Sequence, residues 1–251
     1  MEKVTLWKGK LLNCGANKKT RKSDSKGEYL TAALSLASGN RSGYEVCPHR
    51  TEGCFKSCLD MVGMGSYPHV RKSRTRKTQR FFEDRARFMA DLYMDIAKFR
   101  RYTLKKGKGT VVRLNMYSDI PWERISFNDC GLPFKNIFEA FPDVHFYDYT
   151  KNPFRGNLPE NYRLIFSLSE KNETHARRAL RNGQNVAVVF EKGRVPGMFW
   201  GVPVIPGDED DLRFLDPEGV IIGLNSKGGP AFKDNTGFIV REKACNAISS
   251  K

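Results

Sequence analysis

The segment Thr110-Val111-Val112-Arg113-Leu114-Asn115 decides the fold class of the chain. It is short and largely apolar, which favours a buried strand. Similar segments recur along the chain, with a segment at 134–141 and a helix-like segment at 173–180 between them. We predict further strands at residues 29–37, 144–150, 162–168, 185–190 and 219–224. Apolar strands that alternate with helices are typical of βαβ units, so we expect an α/β fold with a parallel sheet in one domain.

A long helix is predicted ahead of this segment, at residues 69–104. Side chains recur there at spacings of three and four residues, the period of one buried helix face. The residues of this face are Phe81, Phe82, Arg85, Phe88, Met89, Leu92, Tyr93 and Ile96. The basic run at residues 105–108 is predicted to form the turn that ends the helix.

The front of this predicted helix carries a dense set of positive charges. Such a density would neutralise several phosphates, although it is also typical of a solvated helix face. The candidate nucleic-acid-binding residues are Arg71, Lys72, Arg74, Arg76, Lys77 and Arg80. The whole chain has a net charge of +15 and a pI near 9.6. This balance favours nucleic acid or a nucleotide as partner, and an excess of surface lysine is the alternative interpretation.

Three of the six cysteines lie in residues 47–58, which we call the cysteine loop: Cys47-Pro48-His49-Arg50-Thr51-Glu52-Gly53-Cys54-Phe55-Lys56-Ser57-Cys58. The spacing is Cys-x6-Cys-x3-Cys. Thiolates so close together suit an iron–sulfur cluster or zinc, with Cys47, Cys54 and Cys58 as ligands. Three ligands would leave one coordination position open, as catalytic metal sites do. A disulfide or redox role, or buried thiols without ligands, are the alternatives.

Polar residues follow the predicted strands, and ligands of parallel α/β folds bind at the carboxyl ends of strands. The candidate catalytic residues chosen on this basis are Asp119, Lys151 and Ser167, with helix caps or turn residues as the alternative. The candidate cofactor-binding residues are Gly63, Gly65 and Asn115. The two glycines would let backbone N–H groups approach a ligand, and a plain loop is the alternative.

Two further features carry competing interpretations. Tyr147 and Tyr149 are two residues apart and would share one face of a strand, as core or stacking residues. Tyrosine nucleophiles of DNA-nicking enzymes need a pair of histidines flanking one residue, and no histidines here have that spacing. The acidic run at residues 207–216 could bind a hard cation such as Mg²⁺, or pair with Arg213 and the basic helix.

The organisation predicted from composition is a basic N-terminal arm or loop at 1–27, an α/β domain at 28–240 and a mobile tail at 241–251. The N-terminus lacks the apolar region of a signal peptide, and no apolar run is long enough to span a bilayer. We therefore expect a cytoplasmic protein without a membrane partner. Clustered cysteines in a reducing cytosol indicate metal ligands rather than disulfides.

Several of these segments together resemble a known group of proteins. Cys47, Cys54 and Cys58 precede the strand series, and 146–151, Phe-Tyr-Asp-Tyr-Thr-Lys, and 158–162, Leu-Pro-Glu-Asn-Tyr, follow. With 204–208, Val-Ile-Pro-Gly-Asp, they resemble an uncharacterised phage-encoded family that is similar to radical S-adenosylmethionine enzymes. The resemblance covers most of residues 28–240.

The resemblance implies a partial or distorted parallel β/α barrel in the cytoplasm of an infected host cell. It implies a [4Fe-4S] cluster on the three cysteines and S-adenosylmethionine on the open iron, acting on nucleic acid or a nucleotide. Radical S-adenosylmethionine enzymes usually read Cys-x3-Cys-x2-Cys, so this loop is longer. A fourth ligand such as Cys130 or His69 would close the cluster and leave a structural or DNA-sensing role. One alternative is zinc in place of the cluster. The other is a nucleic-acid-binding or nicking protein in which the metal is structural.

Overall fold

The protein, described by a computed structural model over residues 8–15, 18–25, 27–129 and 131–241, is built on one nine-stranded sheet. The strand order in this sheet is β1-β2-β3-β6-β7-β8-β11-β10-β9, and β4 and β5 form a separate hairpin. The strands are β1 (Leu12–Cys14), β2 (Tyr29–Leu34), β3 (Gly109–Arg113), β4 (Phe127–Asp129), β5 (Leu132–Phe134), β6 (His145–Thr150), β7 (Tyr162–Ser167), β8 (Val186–Phe190), β9 (Met198–Phe199), β10 (Val202–Pro206) and β11 (Ile221–Asn225).

The strands from β2 across to β10 all run parallel, while β1 and β9 run antiparallel at the two margins. The carboxyl ends of the parallel strands therefore meet at one edge of the sheet, which we call the carboxyl edge. The predicted α/β class with a parallel sheet is confirmed. The pairing of the described strands gives an open sheet whose margins, β1 and β9, are not joined to each other.

The helices are α1 (Lys18–Ser25), α2 (Glu52–Lys56), α3 (Pro68–Glu83), α4 (Arg85–Lys105), α5 (Glu173–Arg181) and α6 (Gly229–Phe232). The prediction of a single helix at 69–104 was wrong in one respect, because this segment forms two helices, α3 and α4. Asp84 has a non-helical backbone, with φ −140° and ψ 64°, and its side chain accepts a hydrogen bond from the Arg87 N–H. Asp84 therefore ends α3 and caps α4, as aspartate commonly does at a helix start.

Helices α3 and α4 cover one face of β2 and β3. Phe81, Phe88, Leu92 and Ile96 are all buried there, as the periodicity predicted. Phe82 is 36% exposed instead, and it stacks on Tyr44. Helix α5 covers β7 and β8 on the same side of the sheet through small buried alanines. None of the helices in the described segments combines the length and apolar character needed to cross a membrane.

A buried polar network lies on the opposite face of the sheet. Asp211 accepts hydrogen bonds from Arg113 Nη1 at 2.9 Å, Tyr147 Oη at 2.8 Å and Tyr149 Oη at 3.2 Å. The two tyrosines thus share one strand face, and both belong to the interior. The acidic run pairs with Arg213 and with other basic residues of the sheet and its loops, not with the basic helix α3.

Several elements were not predicted from the sequence. β1 and α1 lie within the expected N-terminal arm, and Leu12 is fully buried beside Leu34, so residues 12–14 of that arm belong to the sheet. The edge strand β9, its neighbour β10 and the β4–β5 hairpin were also missed. In the described chain, α-helices join the parallel strands β2 to β3 and β7 to β8, and short 3-10 helices lie between β3 and β4 and between β10 and β11. The tail predicted at 241–251 lies outside the described residues apart from Arg241.

Asp148 on β6 is buried and gives the fold a pH dependence. Its carboxylate accepts from the Asn115 N–H at 2.7 Å and from Tyr162 Oη at 3.2 Å. Burial raises the pKa of Asp148 from 3.8 to about 7, a shift that Arg113 opposes. The folded state therefore holds a proton that the unfolded state releases above about pH 4. The contribution of Asp148 to the free energy of unfolding is present below that pH and is lost as pH rises towards 7.

Asp148→Asn, which mimics the protonated acid, should therefore gain stability relative to the wild type as pH increases. Urea unfolding of both proteins at about pH 5 and about pH 7.5 measures this change, because the variant cannot titrate at this position. An unchanged difference between the two proteins across that range would contradict the buried, protonated state of Asp148.

Candidate metal centre

The cysteine loop lies at the carboxyl edge and is tied to the ends of several strands. Asp119, in the loop after β3, donates its N–H to the Val46 carbonyl at 2.8 Å. Thr51 caps α2, and its hydroxyl donates to Glu170, which follows β7, at 2.7 Å. The Gly53 N–H donates to the same carboxylate at 2.8 Å. The loop is thus fixed at both of its halves by residues far away in the sequence.

The thiols of the cysteine loop influence one another electrostatically. Burial raises the pKa of Cys47 to about 12, and Asp119, Cys58 and Cys54 raise it further. Burial also raises the pKa of Cys58, with Cys54 again adding to the effect. All three cysteines are free, so none is paired in a disulfide. Their role as metal ligands stays a prediction.

The described residues hold no ready-made site for a single metal ion. In the described part of the chain, no three histidine, cysteine, aspartate or glutamate side chains are grouped as ligands of one ion. A single zinc draws its thiolates close together, at about 2.3 Å from one centre, whereas a [4Fe-4S] cluster takes each thiolate on a different iron. Iron–sulfur and zinc binding by Cys47, Cys54 and Cys58 both stay predictions.

A buried ion pair supports the far end of the loop. Arg74 on α3 pairs with Asp60, and both side chains are less than a tenth exposed. Asp60 also accepts from the Ser38 N–H at 3.0 Å and from the Ser38 hydroxyl at 2.9 Å. Ser38 contacts the Cys58 thiol as well. Arg74 stacks over Tyr117 at 4.3 Å, and the Tyr117 carbonyl accepts from Cys47 at 3.6 Å, so the pair lies directly behind the thiols.

A family model described as Gene product 88 matches residues 10–247 of the chain. The chain belongs to the Gene product 88 family. This match supports the expected uncharacterised phage-type family. No radical S-adenosylmethionine family is matched. No curated protein and no solved structure matches the chain.

In this Gene product 88 family member, the candidate catalytic residues lie beside the cysteine loop. The Lys151 N–H donates to Asp119 at 2.8 Å, and the Lys151 ammonium donates to Ser167 Oγ at 2.7 Å. Asp119 also accepts from Arg155 at 3.2 Å. The Lys151 ammonium lies 5.3 Å from the ring of Phe238, which belongs to the cluster that packs against Cys54. The structure therefore brings Asp119, Lys151 and Ser167 together beside the loop, and their catalytic role stays a prediction.

The candidate cofactor-binding residues have structural surroundings. Asn115 is buried. Its side-chain oxygen Oδ1 accepts hydrogen bonds from Ser118, Ile120 and Trp122, so the polar atoms of this side chain are engaged within the fold. Gly65 is buried, and a Cβ there would lie 1.7 Å from the Asp60 carbonyl oxygen. Gly63 is exposed with φ +58°, a backbone conformation that glycine adopts readily. Their part in cofactor binding stays a prediction without a described contact to support it.

The six basic candidates all lie on α3, but they divide into two groups. Arg74 pairs with Asp60, Arg80 pairs with Asp91, and the Lys77 ammonium donates to the Leu11 carbonyl at 2.7 Å. Burial lowers the pKa of Lys77 to about 8. The remaining three face solvent: Arg71, Lys72 and Arg76. Half of the basic run therefore stabilises the fold, and half remains available to a phosphate-bearing ligand.

Other residues of the site were not identified from the sequence. Glu170 anchors α2, and Arg155 holds Asp119 and Glu123. Arg41 lies over the ring of Phe55 at 4.2 Å. A sequence signal existed for Glu170, which directly follows a predicted strand, but single charged residues of this kind occur at many strand ends. Of the two possible fourth ligands, His69 stacks on Tyr67 and Cys130 lies outside the described residues.

Gly53 offers a direct test of how tightly the loop is seated. A Cβ at this position would lie 2.1 Å from Thr236 Oγ1 and 2.5 Å from the Phe238 Cβ. Gly53→Ala should therefore push α2 off its support and lower the free energy of unfolding by about 1–3 kcal/mol. Gly156→Ala is the matched control, because a Cβ at this exposed position meets nothing within 4 Å. Equal stability of the two variants in urea would contradict the close seating of α2.

Proposed function

We propose that Cys47, Cys54 and Cys58 hold a [4Fe-4S] cluster in a radical-S-adenosylmethionine-like enzyme that acts on nucleic acid or a nucleotide. The observation that carries the proposal is the grouping of three free cysteines in one loop at the carboxyl edge, where their thiols influence one another electrostatically. Three protein ligands leave one iron open to a small molecule. When bound, such a cluster supplies one electron for the reductive cleavage of S-adenosylmethionine.

The remaining residues of the site would bind and orient the small molecule. The Lys151 ammonium donates one of its three N–H groups to Ser167 Oγ, so two N–H groups remain for a carboxylate or phosphate. Asp119 positions Lys151 through the backbone N–H and is itself held by Arg155. The buried pair of Arg74 and Asp60 supports Ser38, which in turn contacts the Cys58 thiol.

The strand order supports a partial barrel as the finer description of the fold. From β2 to β8 the order in the sheet follows the order in the chain, as it does in β/α barrels. The short segment that follows the cysteine loop also reaches across the carboxyl edge: Asp60 accepts a hydrogen bond from Ser38, after β2, and Val62 lies against Gly228, after β11. A short segment that touches both sides of the sheet favours a curved sheet over a flat one.

The experiment that tests this proposal is reductive cleavage of S-adenosylmethionine by the anaerobically reconstituted protein. We expect 5′-deoxyadenosine to form with dithionite as reductant, and none to form with a variant in which the three cysteines are serine. Full cluster loading without any 5′-deoxyadenosine would contradict the enzymatic part of the proposal.

The second candidate is a nucleic-acid-binding protein in which the metal is structural. The exposed residues Arg71, Lys72 and Arg76 beside the cysteine loop favour it. A nicking activity through Tyr147 or Tyr149 is disfavoured, because both hydroxyls are buried against Asp211. A gel shift that weakens steeply with salt, together with no cleavage of S-adenosylmethionine, would be the result expected for this candidate.

A further inference from the structure

A basic cavity lies next to the cysteine loop, between the loop after β2 and the first turns of α3. Its volume is about 340 Å³, which falls in the range of small-ligand pockets, about 300–1,000 Å³. Its lining includes Arg41, Arg71 and Arg74, together with Asp60 and Met61. Asp60 of this lining contacts Ser38, and Ser38 contacts Cys58. One residue, Ser38, therefore links the cavity lining to the Cys58 thiol.

Two of the three arginines keep their charge uncompensated. Arg74 is neutralised by Asp60. No carboxylate of the described residues forms an ion pair with Arg41 or Arg71, and both residues are exposed. Arg41 donates to Ser38 Oγ at 3.2 Å and stacks on Phe55, which fixes the direction of its guanidinium group. The cavity therefore presents a net positive charge on two fork-shaped donors, of which Arg41 is held in place, and such donors suit phosphate oxygens.

Two exposed aromatic residues, Tyr67 and His69, lie at the start of α3. Tyr67 is 51% exposed, and its backbone carbonyl accepts a hydrogen bond from the N–H of the cavity-lining Arg71 at 3.1 Å. Tyr67 stacks on His69 with ring centroids 5.7 Å apart. An aromatic ring that is half in solvent provides a surface on which a base can stack.

We infer that this surface binds single-stranded nucleic acid, with a backbone phosphate between Arg41 and Arg71 and an unpaired base on Tyr67. The inference rests on the nucleic-acid part of the proposed function and names the form of the ligand. A duplex hides its base faces, whereas single strands offer both phosphates and open base faces. A strand bound here would pass directly beside Cys58.

Binding of labelled oligonucleotides of mixed sequence to the full-length protein tests the inference by fluorescence anisotropy. Single-stranded DNA, single-stranded RNA and the matching duplex are titrated over a range of salt concentrations. Arg41→Ala combined with Arg71→Ala should weaken single-strand binding at least tenfold. It should also flatten the salt slope by about 0.7, the value for the one phosphate that the two arginines share. Tyr67→Ala should weaken binding at least fivefold, and Tyr67→Phe should retain it.

The matched control is Lys98→Ala combined with Arg101→Ala. Both side chains are exposed on the last turns of α4, which lead to the amino end of β3 and so lie at the opposite edge of the sheet. This control removes the same charge and should change binding less than twofold. Preference for the duplex, or equal loss in both double variants, would overturn the inference and leave the proposed function standing. No binding by the wild type would overturn the inference and the nucleic-acid part of the proposed function together, with cluster content still measurable separately.

Discussion

Replacing Asp211 by asparagine is expected to lower the free energy of unfolding by about 3 kcal/mol. Asp211 is the common partner of Arg113, Tyr147 and Tyr149 on the buried face of the sheet. Its removal leaves the Arg113 charge buried beside Asp148, which is 4.0 Å away and is only partly ionised near neutral pH because its pKa is raised to about 7. Loss of one member of a buried ion pair costs about 3–5 kcal/mol, and the partial charge on Asp148 places the expectation at the lower end.

The exposed ion pair of Arg163 and Glu218 supplies the control. Its two side chains are 29% and 74% exposed, and the charged groups are 2.9 Å apart. Glu218→Gln should change the free energy of unfolding by no more than about 0.5 kcal/mol, since solvent screens such pairs. Urea denaturation of both variants measures the contrast. An Asp211→Asn protein as stable as Glu218→Gln would show that the network does not hold the segment of residues 208–216 onto the sheet.

Serine at any one of Cys47, Cys54 or Cys58 is expected to remove most of the bound iron after anaerobic reconstitution. Each thiolate would hold a different iron, and a hydroxyl group is a much poorer ligand for iron at neutral pH. The expected readout is loss of the broad absorbance near about 400 nm together with a fall in iron and sulfide per chain.

Cys14→Ser is the matched control for these variants. Cys14 is buried on β1, and its thiol donates to Asp24 rather than facing the cysteine loop. A serine hydroxyl can make the same hydrogen bond, so iron content should stay at the wild-type level. Loss of iron in Cys14→Ser, with its stability intact, would indicate that the ligand set differs from the one proposed.

The parallel strands could be predicted because each is a short apolar run bounded by polar residues. β6, β7 and β8 begin and end within one or two residues of the predicted positions. Short edge elements carry no such pattern: β1 and β9 span three and two residues and depend on pairing with a neighbour. The break at Asp84 was hidden for a similar reason, because apolar residues at helical spacing continue across it.

The candidate site could be predicted in part. Three cysteines within twelve residues are a local signal, and local signals are visible in one sequence. The support of the loop is not local: Glu170 lies more than a hundred positions from Thr51, and Arg74 meets Asp60 only because α3 folds back over the loop. The basic run likewise gave no sign that Arg74, Lys77 and Arg80 would be committed to internal partners.

The iron, sulfide and zinc content of the protein after anaerobic purification and reconstitution decides whether the cysteine loop holds a cluster. We expect about four iron and four sulfide per chain, with a brown chromophore that depends on Cys47, Cys54 and Cys58. A colourless protein with one zinc per chain, or one in which two of these cysteines are joined in a disulfide, would contradict it.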